Sequence, residues 1–368
     1  MQRPSLIQTL LVQALAVLTG LVAGAVLIWV TGGDPILAYG GLWEGSFGRA
    51  ASISETLVWS TPYILAGLAV GLAFRGGLFN IGAEGQLSVG ALVGAWAGFA
   101  IPGVPWPLHM VLALAAGTLA GAIWAGFAGL LKARTGAHEV ITTIMLNYVA
   151  LGVTGYLLAG LLKDPSPFVV IAQTPKVMES ARIPTLLPDL RVHWGLILAL
   201  LLAVGSWWLL FRSTIGFAIR TVGLNPSAAR YAGISIGSTV VLTMAISGAL
   251  AGLAGAIEVL GVNYYHTPGF SVGYGFDSIA VALLGKSHPF GVIPAALLFG
   301  ALRAGSTRMQ FVSQIPIDII SVVQGIILLL VAADELVRRV YRIGGRSPVA
   351  SAERTAEGTV ARSWGRLE

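Results

Sequence analysis

Long apolar runs recur along almost the whole chain, and they constrain its fold more than any other feature. Each run is close to the length of about 20 residues that a helix needs to span some 30 Å of bilayer hydrocarbon. Of the 368 residues, 56% are hydrophobic and only 10% are charged, whereas a soluble protein usually carries about 25% charged residues. The sequence therefore predicts an all-α, polytopic transmembrane helical bundle with about 8–10 membrane segments.

The predicted membrane segments differ in how regular they are. One segment carries glycine, lysine, histidine and proline in its middle, and it is expected to be broken, either as one kinked helix or as two half-helices. That segment is 277–303. The full set of predicted segments is 9–30, 57–74, 87–101, 108–131, 140–162, 194–211, 238–262, 277–303 and 317–333.

Basic residues outside the apolar runs give the expected orientation, because cytoplasmic loops of membrane proteins carry an excess of Lys and Arg. They favour a cytoplasmic position for the loop 212–236 and for both termini, while the stretches near 31–56 and 163–192 are expected to lie outside. Residues 1–346 are predicted to form a single transmembrane domain. Residues 347–368 are polar and rich in small residues, which is typical of a disordered cytoplasmic tail.

Polar residues interrupt the apolar runs at a few positions. The sequence NIGAEGQ places Asn80, Glu84 and Gln86 between two apolar runs, and Asn147 lies inside another. An uncompensated carboxylate in lipid costs about 2.5–3.5 kcal/mol, and irregular backbone at membrane depth is tolerated only inside protein or beside water. We therefore predict these residues for a translocation pathway. Two structural alternatives stay open: a role for Glu84 as the cap of the helix that follows it, and a role for Asn147 as a hydrogen-bonding link between helices.

The loop 212–236 contains the signals of a short helix. Asn225 can cap the helix, Pro226 suits its first position, and Gly233 can end it in a left-handed conformation. The predicted helix at 226–232 has about two turns, and isolated helices that short are marginal in water. It therefore needs a surface to dock against, either on its own bundle or on a partner.

Two short patterns typical of soluble enzymes do not predict catalysis here. The stretch 280–287, AVALLGKS, lacks the first glycine of a phosphate-binding loop, and 233–237, GISIG, has no strand before it. The chain has no cysteine and five histidines without metal-ligand spacing, and no basic run interleaved with aromatic residues suggests nucleic-acid binding. We expect no catalytic residue, no metal site and no bound cofactor.

Several segments together resemble the permease subunits of ATP-binding-cassette importers of the branched-chain amino acid/ribose/simple-sugar group. The nucleoside and simple-sugar branch is the most similar, and the resemblance covers about 57–333. It rests on RGGLFNIGAEGQLSVGA at 75–91, HEVITTIMLNYVA at 138–150, GLNPSAARYAGI at 223–234, SGALAGLAGAIEVLG at 247–261 and GFDSIAVALLGKSHPFG at 275–291.

This resemblance implies a permease subunit of an ATP-driven importer in a bacterial or archaeal inner or plasma membrane. The substrate would be a nucleoside, with ribose or another simple sugar as the alternative. The partners would be cytoplasmic ATP-binding subunits that hydrolyse the ATP, a second permease subunit, and an extracytoplasmic substrate-binding protein.

The resemblance also implies that the short helix is the coupling element that docks on the ATP-binding subunit. Ser227 stands where the broader importer pattern EAAxxxG has glutamate. The coupling residues would be Asn225, Pro226, Ser227, Ala228, Ala229, Arg230 and Gly233. A rival class is an ion-coupled secondary transporter in which Glu84 and Asp277 carry protons or sodium, although no clear inverted repeat is visible in the sequence.

Overall fold

The computed structural model describes residues 6–271, 273–333, 337, 340 and 341. Within these residues the regular structure is helical, apart from one isolated bridge between Thr185 and His193. The α-helices are α1 (Leu6–Val30), α2 (Pro35–Phe47), α3 (Ala50–Arg75), α4 (Ala83–Ala100), α5 (Leu108–Thr135), α6 (Glu139–Ala159), α7 (Gly195–Arg212), α8 (Thr214–Leu224), α9 (Pro226–Tyr231), α10 (Ile236–Glu258), α11 (Tyr274–Leu284), α12 (Pro289–Ser313) and α13 (Asp318–Ala332).

Among the described residues, seven helices are long and apolar enough to cross a membrane: α1, α3, α5, α6, α7, α10 with its extension to Asn263, and α12. Three further apolar helices, α8, α11 and α13, are shorter than a full span. The predicted all-α, polytopic fold is therefore confirmed. Helix α11 has 11 residues, which at about 1.5 Å per residue reaches roughly halfway across the hydrocarbon.

The chain forms two compact units. The first combines the described residues up to position 35 with those from position 315 onward, and in it α1 packs against α13. The second contains residues 36–314. The single transmembrane domain predicted over residues 1–346 stays a prediction, and the predicted tail at 347–368 lies outside the described residues.

Helices α3 and α10 form the centre of the second unit. In α3, 83% of the most apolar window is buried, and in Ile236–Asn263 the share is 72%. Helix α10 packs against α5 and α4 through glycines. A Cβ at Gly252 would lie 2.6 Å from the carbonyl oxygen of Gly117 and 2.8 Å from Cα of Gly121. Small residues that let helix backbones approach this closely are typical of packing in membranes.

Two details depart from or refine the sequence analysis. The stretch near 31–56, predicted as an external loop, is largely helical. Helix α2 was not predicted because its 13 residues fall below the length of a membrane segment. The broken segment 277–303 consists of two helices, α11 and α12. Between them, Lys286 and Ser287 adopt left-handed conformations, with φ of 51° and 50°.

Candidate transport site

The backbone between α3 and α4 is irregular, and it lies at membrane depth. Asn80 in this segment is fully buried, and its side-chain nitrogen lies 2.8 Å from the hydroxyl oxygen of Ser247. Ser247 is eleven residues from the start of α10, Ile236, and eleven from its end, Glu258. Irregular backbone is tolerated at this depth when protein groups satisfy its hydrogen bonds.

Asn80 and Gln86 hydrogen-bond to each other across the irregular segment between α3 and α4, residues 76–82, which we call the break. The Asn80 side-chain nitrogen donates to Gln86 Oε1 at 2.9 Å, and Gln86 Nε2 donates to Asn80 Oδ1 at 2.8 Å. The backbone nitrogen of Gly82 also donates to Asn80 Oδ1, at 3.0 Å. Ser247 in turn donates to the carbonyl oxygen of Ala69 at 2.7 Å. These bonds tie the break to α3, α4 and α10.

Asn147 holds the same segment from α6. Its Oδ1 accepts from the backbone nitrogen of Gly85 at 2.9 Å, and its Nδ2 donates to the carbonyl oxygen of Ile81 at 2.8 Å. Thr143, one turn earlier on α6, accepts from the backbone nitrogen of Ile81 at 3.3 Å. The first N–H groups of a helix have no partner within it. Asn147 therefore caps α4 from a neighbouring helix, in keeping with the interhelical alternative.

Glu84 caps a different helix from the one expected. Its Oε2 accepts from the backbone nitrogen of Gly275, in the first turn of α11, at 2.7 Å, and its Oε1 accepts from the hydroxyl of Ser271. The side chain is 5% exposed. Glu84 lies in the first turn of α4, but its carboxylate accepts from the segment that begins α11, because the backbone of α11 packs directly on the start of α4. A Cβ at Gly275 would overlap the backbone of Glu84.

A cluster of aromatic and charged side chains joins α3, α11 and α12. The hydroxyl of Tyr63 donates to Asp277 Oδ2 at 2.8 Å, and its ring lies edge-on to Tyr274 with centroids 5.0 Å apart. The guanidinium of Arg303 lies over the ring of Trp59 at 5.6 Å. The sequence analysis missed the aromatic members. Trp59 and Tyr63 stand four residues apart, a spacing that places both on one helix face and gives a signal for them.

The predicted short helix is confirmed as α9. The side-chain oxygen of Asn225 accepts from the backbone nitrogen of Ala228 at 3.0 Å, Pro226 begins the helix, and Gly233 has a left-handed φ of +76°. Ala229 is buried, whereas the rest of the helix is exposed and Tyr231 reaches 96% exposure. The sequence analysis did not predict α8, which directly precedes α9.

The end of α8 contacts the start of the irregular backbone between α3 and α4. A Cβ at Gly77 would lie 3.0 Å from Cα of Gly223, and Gly77 has a φ of +70° that favours glycine. Beside this contact, Arg75 donates to the carbonyl oxygen of Ser287 at 2.9 Å. The guanidinium groups of Arg75 and Arg220 both lie over the ring of Phe211, at 5.7 and 5.2 Å. The end of α8, the break, and the turn between α11 and α12 therefore meet at one place.

Two histidines outside the membrane-spanning segments are buried. His193 and His266 are each 1% exposed. The pKa of each is lowered to about 4, by burial in both cases and, at His193, also by the nearby charge of Arg191. His193 Nδ1 accepts from the backbone nitrogen of Gly195 at 3.1 Å, while its Nε2 has no hydrogen-bond partner among the described residues.

Comparison with known proteins identifies clear relatives. The family described as "Branched-chain amino acid transport system / permease component" matches residues 52–332. A guanosine ABC transporter permease of Bacillus subtilis is 45% identical over 89% of this chain and 94% of its own length. A nucleoside ABC transporter permease of Lactococcus lactis is 36% identical over 88% and 90%. A glucose ABC transporter permease of Haloferax volcanii is 33% identical over 90% and 88%. No solved structure shows significant similarity.

Proposed function

Because the chain belongs to the branched-chain amino acid transport system / permease component family, we propose that it is the membrane subunit of an ATP-driven importer of nucleosides. The chain is a multi-pass protein of the bacterial plasma membrane. The observation that carries the nucleoside assignment is the 45% identity to a guanosine permease across nearly the full length of both chains. Ribose or another simple sugar is the second candidate, supported by the 33% identity to a glucose permease.

ATP hydrolysis is assigned to cytoplasmic ATP-binding subunits that dock on α9. Helix α9 is anchored by Ala229 and leaves Tyr231 96% exposed, and Leu224 at the end of α8 is 87% exposed. These side chains offer an apolar surface on which a partner subunit would dock. ATP that binds one conformation of the complex better than the other would shift the pathway between outward- and inward-facing states.

A second permease subunit and an extracytoplasmic substrate-binding protein complete the proposed importer. We propose that four buried polar residues hold together the helices that line and move the translocation pathway. They are Asn80, Glu84, Gln86 and Asn147. Their side chains join α4 to α6, α10 and α11. The carboxylate of Glu84 is occupied by two donors, which gives the ion-coupled alternative less support.

Uptake of radiolabelled guanosine tests this function. The whole importer is expressed with this chain present or deleted, unlabelled ribose is the competitor, and a protonophore is added while ATP levels are maintained. We expect that uptake requires this chain and that neither the protonophore nor unlabelled ribose inhibits it. Inhibition by ribose would change the substrate assignment from a nucleoside to a sugar. Loss of uptake with the protonophore would refute the ATP-driven mechanism.

A pull-down tests the docking role of α9. Tyr231→Ala removes the most exposed aromatic side chain of the helix, and Tyr156→Ala removes a tyrosine that is 80% exposed on α6. We expect Tyr231→Ala to reduce the amount of ATP-binding subunit that copurifies with the chain, and Tyr156→Ala to leave it unchanged. Equal recovery in both variants would contradict docking at α9.

A further inference from the structure

The cluster around Asp277 lies near the middle of the membrane. Tyr63, its hydrogen-bond partner, is thirteen residues from the start of α3 and twelve from its end, Arg75. Arg303 is fourteen residues from the start of α12 and ten from its end, Ser313. Both helices are long enough to span the bilayer. Asp277 and Arg303 therefore place ionisable groups close to the bilayer midplane.

Several side chains of the cluster are partly exposed, whereas the polar side chains of the break are buried. Asp277, Arg303 and Trp59 are partly exposed, and Phe276 is 48% exposed. Of the residues predicted for the pathway, even the most exposed, Glu84, is only 5% exposed. Ionisable groups within a membrane almost always face the bundle interior or a water-filled cavity, because facing lipid is costly. This preference indicates that the open side of the cluster faces the bundle interior or a water-filled cavity.

The cluster also retains unused hydrogen-bonding capacity. Asp277 accepts one side-chain hydrogen bond, from Tyr63 to Oδ2, and among the described residues Oδ1 has no hydrogen-bond partner. Arg303 is close enough to act electrostatically on Asp277, yet within the described part of the chain its guanidinium forms no hydrogen bond or salt bridge. The Asp277 Oδ1 acceptor and the Arg303 N–H donors thus remain available beside the ring of Trp59, one face of which Arg303 covers.

We propose that Asp277, Arg303, Phe276 and Trp59 form the site that contacts the nucleoside base during its passage, which rests on the proposed function. The base would stack on the exposed aromatic surface, as bases stack on aromatic side chains in other proteins. Arg303 would donate to the ring acceptors, and Asp277 would accept from the N–H groups of the base. A guanine offers both sets of partners, because it carries acceptors at N7 and O6 and N–H donors on its opposite edge. Ribose alone has no aromatic base to stack.

Photolabelling locates this site directly. The purified importer in lipid nanodiscs is irradiated with 8-azidoguanosine, and the labelled peptides are identified by mass spectrometry. We expect label on peptides of α3, α11 or α12, and we expect excess guanosine, but not ribose, to prevent it. Label confined to α4, α6 or another subunit would overturn the inference.

Conservative variants test the individual residues. Asp277→Asn replaces one carboxylate acceptor by an N–H donor and removes the charge, and Phe276→Leu removes one aromatic ring. We expect either change to lower labelling about tenfold, which corresponds to about 1.4 kcal/mol. The matched controls are Asp189→Asn, between α6 and α7, and Phe127→Leu, a phenylalanine 51% exposed on α5. Labelling that falls no further in the site variants than in these controls would refute the proposal.

The inference and the proposed function fail in different ways. Guanosine uptake by the wild-type importer, together with unchanged labelling in Asp277→Asn and Phe276→Leu, overturns the site and leaves the function. Absence of guanosine uptake by the wild-type importer overturns both.

Discussion

Replacement of Asn147 by alanine tests whether the break between α3 and α4 is held from α6. The side chain is 2% exposed, and it forms two hydrogen bonds, from Gly85 N at 2.9 Å and to Ile81 O at 2.8 Å. Both backbone partners belong to the irregular segment or to the first turn of α4. Asn147→Ala removes both bonds and supplies no substitute.

The expected loss follows from these two bonds. A buried backbone group left without its partner costs about 1–3 kcal/mol, and water has little access at this depth. Some relaxation of the flexible break is expected, so we place the total loss in the free energy of unfolding at about 2–4 kcal/mol. Asn147→Asp retains the acceptor for Gly85, but it loses the donor to Ile81 and buries a carboxylate oxygen beside that carbonyl oxygen.

Unfolding of the purified chain in mixed micelles, titrated with sodium dodecyl sulfate, measures this loss. The control is Thr154→Val on the same helix, where the hydroxyl donates within the helix to the carbonyl oxygen of Leu151 at 3.2 Å and makes only a weak contact, 3.5 Å, with the hydroxyl of Ser88. We expect a change below about 0.5 kcal/mol for the control. A loss for Asn147→Ala no larger than that of Thr154→Val would show that α6 does not hold the break.

Three further predictions concern other parts of the structure. Gly275→Ala should destabilise the chain by about 1–3 kcal/mol, because its Cβ would overlap the backbone of Glu84; the same unfolding titration measures this against Gly152→Ala, where the space is open. His193 alone should lower the free energy of unfolding by about 3 kcal/mol as pH falls from 6.5 to about 4, because the unfolded chain binds a proton at His193 before the folded chain does. In His193→Gln the melting temperature should therefore depend less steeply on pH over this range. Asn225→Ala should weaken α9 by about 1 kcal/mol and speed hydrogen exchange of its amides, whereas Asn225→Ser should retain the cap, and equal exchange in both would argue against capping.

The sequence predicted what depends on local signals. Helix α9 was predicted because its cap, its first proline and its final glycine all lie within 225–233. Asn80, Glu84 and Gln86 stood out because they interrupt apolar runs. The break near Gly285 was also visible from its glycine and proline, although the sequence left its form open.

The partners of these residues could not be predicted, because they are distant in the sequence. Glu84 and Gly275 are 191 positions apart, and no local pattern indicates that one caps the helix of the other. The bond between Tyr63 and Asp277 joins residues separated by 214 positions. The membrane prediction also overlooked α2, since 13 residues cannot span a bilayer as a helix. Tertiary packing therefore decides the roles of the polar residues.

The contact between Gly77 and Gly223 has a mechanical consequence. Backbone meets backbone there, with no side chain that could change rotamer and absorb a movement. Helix α8 ends one residue after Gly223, and α9 begins at Pro226. A displacement of α9 by a bound subunit would therefore reach the irregular backbone after α3 with little loss of amplitude, and a larger residue at either glycine would hold the two segments apart.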